Sequence, residues 1–190
     1  MTIAMPVNVQ QAVKLRVDDF MLLCEHGAFV DYGKVELIHG EIFALNAQFR
    51  PHLRAKKFFY DELRDALRAT DPNLTVFTEG FVALSPDSMP EPDVIVTDQP
   101  DGGGPLPAVS VKLVVEIADT TAAFDLGPKR ALYAQHGLAE YWVVDLNARC
   151  VHQMWSPGDD GFGQGQTVAF GSALTAFHLD GLTIQLPEKF

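Results

Sequence analysis

The run Lys112-Leu113-Val114-Val115-Glu116-Ile117-Ala118 is apolar except for one interior carboxylate and the lysine that opens it. It reads as a β-strand. Side chains alternate along a strand, so Lys112, Val114, Glu116 and Ala118 share one face while Leu113, Val115 and Ile117 share the other. Downstream, Asp125 to His136 has the pattern of a helix closed by Gly137. Pro128 is harmless in its first turn, where the missing N–H has no intrahelical partner. Glu140-Tyr-Trp-Val-Val-Asp145 follows as another strand. Upstream, short apolar runs at Leu74–Phe77, Phe81–Leu84 and Asp93–Val96 are divided by turn-rich pieces, notably Ser85–Pro92 and Asp101–Pro105. Before them lie a helix over Pro51–Ala69 and a hairpin, Val35–Ile38 and Glu41–Leu45, whose His39-Gly40 connection suits a type I′ turn. A first helix spans Val17–His26, capped by Asp18 and ended by Gly27. Val151–Trp155, Val168–Phe170 and Leu182–Leu186 read as later strands, and the Gly-rich Pro157–Gly165 as a long hairpin turn. The expectation is one mixed α/β (α+β) domain over residues 1–190, a central mixed sheet flanked by helices, with residues 1–16 a flexible N-terminal segment.

Composition fits that reading. In 190 residues, 47% hydrophobic and 21% charged, there is enough apolar material for a core without disulfide or metal staples. The formal charge of −11 excludes a general nucleic-acid coat protein, because phosphate binding is mostly counterion release by Lys and Arg. Arg50, Arg54, Lys56, Lys57, Arg64 and Arg68 make the second helix the most basic stretch and the one obvious surface for a phosphate backbone. Cys24 and Cys150 lie far apart and suggest buried thiols in a reducing compartment. No secretory leader is recognisable, and no apolar run approaches the ~20 residues that a membrane helix needs, so a soluble cytoplasmic protein is expected.

Three charged residues carry the chemical signal: Asp93 at the head of its strand, Glu116 inside its apolar run, and Lys129 early in the next helix. An ionised carboxylate among apolar neighbours is costly unless a partner or metal compensates it. Two carboxylates from neighbouring strands suit a hard divalent cation such as Mg²⁺, which takes oxygen ligands and keeps several waters. A nearby lysine would orient an attacking hydroxide and offset developing negative charge. Plainer readings stand beside these: Glu116 on a solvated face, Lys129 in an i,i+4 pair with Asp125, and Asp125 as a helix N-cap. Tyr141 and Trp142, in an apolar strand, read as core rather than as base-stacking residues.

The strings Pro92-Asp93-Val-Ile-Val, Leu113-Val-Val-Glu116-Ile-Ala-Asp-Thr-Thr, Asp125-Leu-Gly-Pro-Lys129-Arg-Ala-Leu-Tyr133 and Gly137-Leu-Ala-Glu140-Tyr-Trp142-Val-Val-Asp145 occur in that order. Together they resemble the Uma-two family of restriction-endonuclease-like proteins in the PD-(D/E)XK nuclease superfamily. Val35-Glu36-Leu-Ile-His-Gly40-Glu41-Ile resembles the same family's early hairpin, and the likeness extends from Val17 to Trp155. The resemblance implies a restriction-endonuclease-like core and a Mg²⁺- or Mn²⁺-dependent phosphodiesterase, with nucleic acid, foremost DNA, as substrate. Asp93 and Glu116 match the metal-binding acids. The superfamily's usual lysine position, two residues past the acid, is Ala118 here, and Lys129 matches the family's relocated lysine. Glu41 and His52 are candidates for a supporting ligand or base; read plainly, Glu41 is an exposed hairpin carboxylate and His52 a first-turn helix residue. Asp119-Thr-Thr departs from the Ser-rich turn commoner in the family. A symmetric homodimer would be the simplest way to cut two strands. The alternative from another class is a catalytically inactive, nuclease-like binding module that acts through a protein partner.

Overall fold

A computed structural model describes residues 12–45 and 48–190. Helix α1 spans Val17–Glu25, and the hairpin strands are β1 (Lys34–Ile38) and β2 (Glu41–Leu45). Both turn residues are left-handed, His39 at φ 50° and Gly40 at φ 74°, as a type I′ turn requires. Gly40 is also sterically committed: a Cβ there would lie 2.7 Å from Lys14 Cβ. Of the expected flexible segment 1–16, residues 1–11 lie outside the described residues. The remainder forms no helix or strand, but the Leu15 N–H donates to the Gly40 carbonyl at 3.0 Å and pins it to the hairpin. The cap of α1 differs from expectation. Arg16 is the N-cap, and the Asp19 carboxylate accepts its N–H, so Asp18 is only a first-turn acid.

Helix α2 runs Arg50–Thr70. Strands β3 (Thr75–Thr78), β4 (Val82–Ala83), β5 (Val94–Thr97), β6 (Leu106–Pro107) and β7 (Val111–Ala118) follow. A short helix α3 (Ala122–Phe124) then widens into one π-helical turn, Asp125–Lys129, before α4 (Arg130–Gln135). The helix expected at Asp125 therefore starts three residues earlier, and Pro128 sits inside the widened turn rather than in a first turn. The missing N–H of Pro128 is a local reason for the departure from regular α spacing. Strands β8 (Glu140–Asp145), β9 (Cys150–Gly158) and β10 (Gly161–Ala169) come next, then the pair β11 (Ala173–Thr175) and β12 (Thr183–Gln185). The Gly-rich Pro157–Gly165 is not a long turn. Gly158 pairs with Gly161 and Trp155 with Gln164, so only Asp159 and Asp160 form the connection.

The central sheet has the order β10-β9-β8-β7-β5-β3, with β7 and β8 parallel and the other pairs antiparallel. Its two faces are covered differently. On one, Ala55, Phe59, Leu63 and Leu67 of α2 pack against Val94, Leu113, Val115 and Trp142. On the other, Tyr133 and Ala134 of α4 pack against Val114, Tyr141 and Val143. Trp142 and Tyr141 are core residues, as expected. Phe20 of α1 anchors the hairpin through Val35, Leu37 and Met89. These layers bring the hairpin, the N-terminal end of α2, β5, β7 and the π turn to one place. Among the described residues, no helix is long and apolar enough to cross a membrane.

Candidate active site

Asp93 immediately precedes β5, which pairs with β7 so that Val94 faces Val115. This puts one Asp93 carboxylate oxygen in reach of the β7 backbone: Oδ2 accepts the Ile117 N–H at 2.9 Å. Two lysines and a histidine gather on it. His52 Nε2 lies 3.2 Å from Oδ2, Lys56 Nζ 3.1 Å from Oδ1 and Lys34 Nζ 3.9 Å from Oδ1. Only 4% of Asp93 is exposed. Burial acts to raise its pKa, but the His52 hydrogen bond and the charges of Lys34, His52 and Lys56 outweigh it, and the carboxyl is held well below the usual range. Lys56 is further tied to Gln48 at 2.6 Å and Glu79 at 2.7 Å.

Glu116, also 4% exposed, faces the opposite electrostatic situation. Its Oε1 accepts from Lys129 Nζ at 2.9 Å and from the Tyr133 hydroxyl at 3.1 Å. The same ammonium donates to Glu36 Oε1 at 2.9 Å. Asp125, one π turn before Lys129, is buried and accepts the Thr121 hydroxyl at 2.5 Å. One ammonium thus bonds two buried carboxylates, and the charge of a third, Asp125, acts on it as well. Burial drives the Glu116 pKa up to about 8; the Lys129 charge opposes this, and Asp125, Glu36 and Asp93 add to it. Asp125 is raised as well, by burial, against the pull of Lys129 and the Thr121 hydrogen bond. Burial alone would lower the Lys129 pKa, yet Glu116, Glu36 and Asp125 raise it, so the amine stays charged.

Asp93, Glu116, Lys129 and His52 all line one cavity of about 360 Å³. The solvated reading of Glu116 and the i,i+4 reading of Lys129 therefore do not hold: both groups are buried, and Lys129 bonds across the fold instead of to Asp125. Asp125 is no N-cap, since the helix begins before it. Glu41 is not brought to the cavity. It stands exposed on β2 in an ion pair with Lys14 at 2.5 Å. Lys56 leaves the expected basic surface and turns inward, because it follows His52 by four residues on the buried face of α2.

Residues not anticipated from sequence complete the site: Glu36, Lys34, Lys56, Gln48 and Tyr133. Glu36 carries the same signal as Glu116, a lone acid inside an apolar strand. Its Oε1 also accepts the Glu91 N–H at 2.9 Å, while Oε2 is buried without a partner among the described residues.

The surplus of carboxylate over ammonium around Glu116 suits a cation in the cavity. Among the described residues, no three His, Cys, Asp or Glu side chains form a ready-made metal cage. Asp93 and Glu116, two of the carboxylates that line the cavity, could hold an ion such as Mg²⁺, which takes one or two protein carboxylates and fills its shell with water and phosphate.

A model of the Uma2 family, described as putative restriction endonuclease, matches residues 17–186. The fold resembles the crystal structure of a protein from Anabaena variabilis described as a putative nuclease belonging to DUF820. The TM-score is 0.69 at 16% identity, over 90% of this chain and 94% of that one. No curated protein matches the chain.

Proposed function

The chain belongs to the Uma2 family, and from that premise we propose that the cavity is the active site of a divalent-metal-dependent nuclease acting on phosphodiester bonds, foremost in DNA. The observation that carries the reading is the meeting of Lys129 with Glu116 at 2.9 Å in a cavity that Asp93 also lines. Asp93 and Glu116 would hold Mg²⁺ or Mn²⁺. When bound, such an ion lowers the pKa of water and neutralises charge on the phosphoryl group.

The chain's own residues supply the rest. The Ile117 N–H and His52 fix the Asp93 carboxylate in one orientation. Lys34 and Lys56 keep it ionised and add positive potential where a phosphate would arrive. Lys129, held from both sides by Glu36 and Glu116, is a preorganised donor for an attacking water and for the negative charge that grows on the phosphoryl oxygens. Tyr133 donates to Glu116 Oε1, which leaves the other oxygen of that carboxylate for the cavity.

The test is incubation of plasmid DNA, single-stranded DNA and RNA with purified protein under Mg²⁺ or Mn²⁺, beside the Glu116→Ala variant. Metal-dependent cleavage that disappears in the variant supports the reading. A wild type inert on every substrate and with either metal would reject it in favour of a non-catalytic binding module.

A further inference from the structure

The basic helix α2 divides into two electrostatically different parts. From Lys57 onward the cations are spent internally: Lys57 pairs with Asp61 at 2.5 Å, Arg64 with Asp61 at 3.1 Å and Asp65 at 2.9 Å, and Arg68 with Asp65 at 3.8 Å. Arg50 and Arg54, one turn apart at the start of the helix, are exposed and have no carboxylate partner among the described residues. Next to Arg50 stands Phe49, which lines the cavity although 68% of its surface is exposed. A second aromatic, Phe124, lines the same cavity. The ring face of Phe49 is open to a ligand, and it adjoins the helix's two unneutralised cations.

The depth of the acids decides what can use this arrangement. Asp93 and Glu116 are each only 4% exposed, so a phosphate must enter the cavity to reach them. The backbone of a continuous duplex is held by stacked, paired bases on both sides. Drawing one of its nucleotides inward costs a few kcal/mol, and the cost is least where the base is already unpaired. Aromatic faces accept any base by stacking, without a sequence code. The overall charge of −11 argues in the same direction, because it disfavours the long cationic track that a duplex-binding surface needs.

Resting on the nuclease reading above, we propose that the substrate is a single-stranded or locally unpaired nucleic acid, one of whose nucleotides enters the cavity with its phosphate toward the acids and its base against Phe49 and Phe124, while the flanking phosphates run along Arg50 and Arg54. Phe49 is a binding residue in this scheme.

The experiment is equilibrium fluorescence anisotropy at low salt, with a labelled oligonucleotide as a single strand and as the matching duplex, in EDTA so that nothing is cleaved. Wild type is expected to bind the single strand at least tenfold more tightly than the duplex. Phe49→Ala should lose about tenfold in single-strand affinity, and Phe49→Trp should retain it. Arg50→Gln/Arg54→Gln should flatten the salt dependence for the single strand by about 1.4 in log–log slope, whereas Lys57→Gln should leave the slope unchanged. Equal affinity for strand and duplex, no binding to either, or a Phe49→Ala variant that binds like wild type would overturn the proposal. Because the measurement needs no catalysis, it can fail while metal-dependent cleavage persists, or succeed while cleavage is absent.

Discussion

Lys129 Nζ lies 2.9 Å from Glu36 Oε1, although the two residues are 93 positions apart in the chain. The hairpin that precedes the sheet thus holds the amine delivered by the helix after β7. The bond gives the N-terminal hairpin a role in the site.

Replacing Lys129 with Met removes the only ammonium bonded to Glu36 and Glu116 among the described residues. Breaking a buried charge pair from one side costs about 3–5 kcal/mol, and loss of a preorganised donor costs roughly 10²–10³ in turnover. Urea unfolding at neutral pH should show the first and a cleavage assay the second. A Lys129→Met variant as stable and as active as wild type would remove Lys129 from the site.

Glu116 imposes a pH dependence on the metal-free protein. Its carboxyl titrates near 8 in the fold against an ordinary 4.5. Between those values the folded state keeps a proton that the unfolded state has released, so stability falls as pH rises through that window. Thermal melts in EDTA from pH 5 to pH 8.5 should show the decline, and Glu116→Gln should make it shallower. Added Mg²⁺ or Mn²⁺ should restore stability at pH 8 in wild type, by selective binding to the folded state, and much less in Glu116→Gln. Parallel pH profiles for the two proteins would contradict the site's electrostatics.

Asp93 has the opposite sign. Its carboxyl is held below the ordinary 3.8, so its contribution is fully present above that value and is lost as pH falls below it. Asp93→Asn leaves His52, Lys34 and Lys56 without their shared anion. Neutralising Asp93 should therefore destabilise the protein at pH 7, by about 3–5 kcal/mol, whereas neutralising Glu116 at pH 8 should not. Chemical denaturation of both variants at the two pH values reads the contrast.

Glu140, another buried acid, is structural. Glu140 accepts from Trp142 Nε1 at 2.6 Å, Gln153 Nε2 at 2.6 Å, and the backbone N–H groups of Phe177 at 2.9 Å and His178 at 2.8 Å. It ties the sheet to the segment between β11 and β12. Glu140→Leu strands those donors and should cost about 3 kcal/mol or more, since each unsatisfied buried group costs ~1–3 kcal/mol. Calorimetric melting should show the loss, while metal-stabilisation at pH 8 should persist in the folded fraction.

The pattern of the sequence carried the hairpin, α2, the strands about Asp93 and Glu116, and the strand that becomes β8, though not its parallel pairing with β7. In each, periodicity and burial agree. What it did not reveal depends on contacts between distant segments. Glu36 looks like a hairpin residue until the hairpin is docked against the π turn, and Lys56 looks like a surface cation until the buried stripe of α2 is drawn through His52. The π turn is hidden because Pro128 fits a first helical turn equally well. The glycines of β9 and β10 resemble a loop by composition, and only cross-strand pairing such as Trp155 with Gln164 shows that they are strand.

The most direct test is a crystal of the protein soaked in Mn²⁺ and measured with anomalous scattering. The expected result is one strong anomalous peak in the cavity, bonded to carboxylate oxygens of Asp93 and Glu116, with the Lys129 amine beside it. Saturating Mn²⁺ that leaves those two carboxylates bare, or that binds only elsewhere on the molecule, would contradict the assignment of a metal-dependent active site.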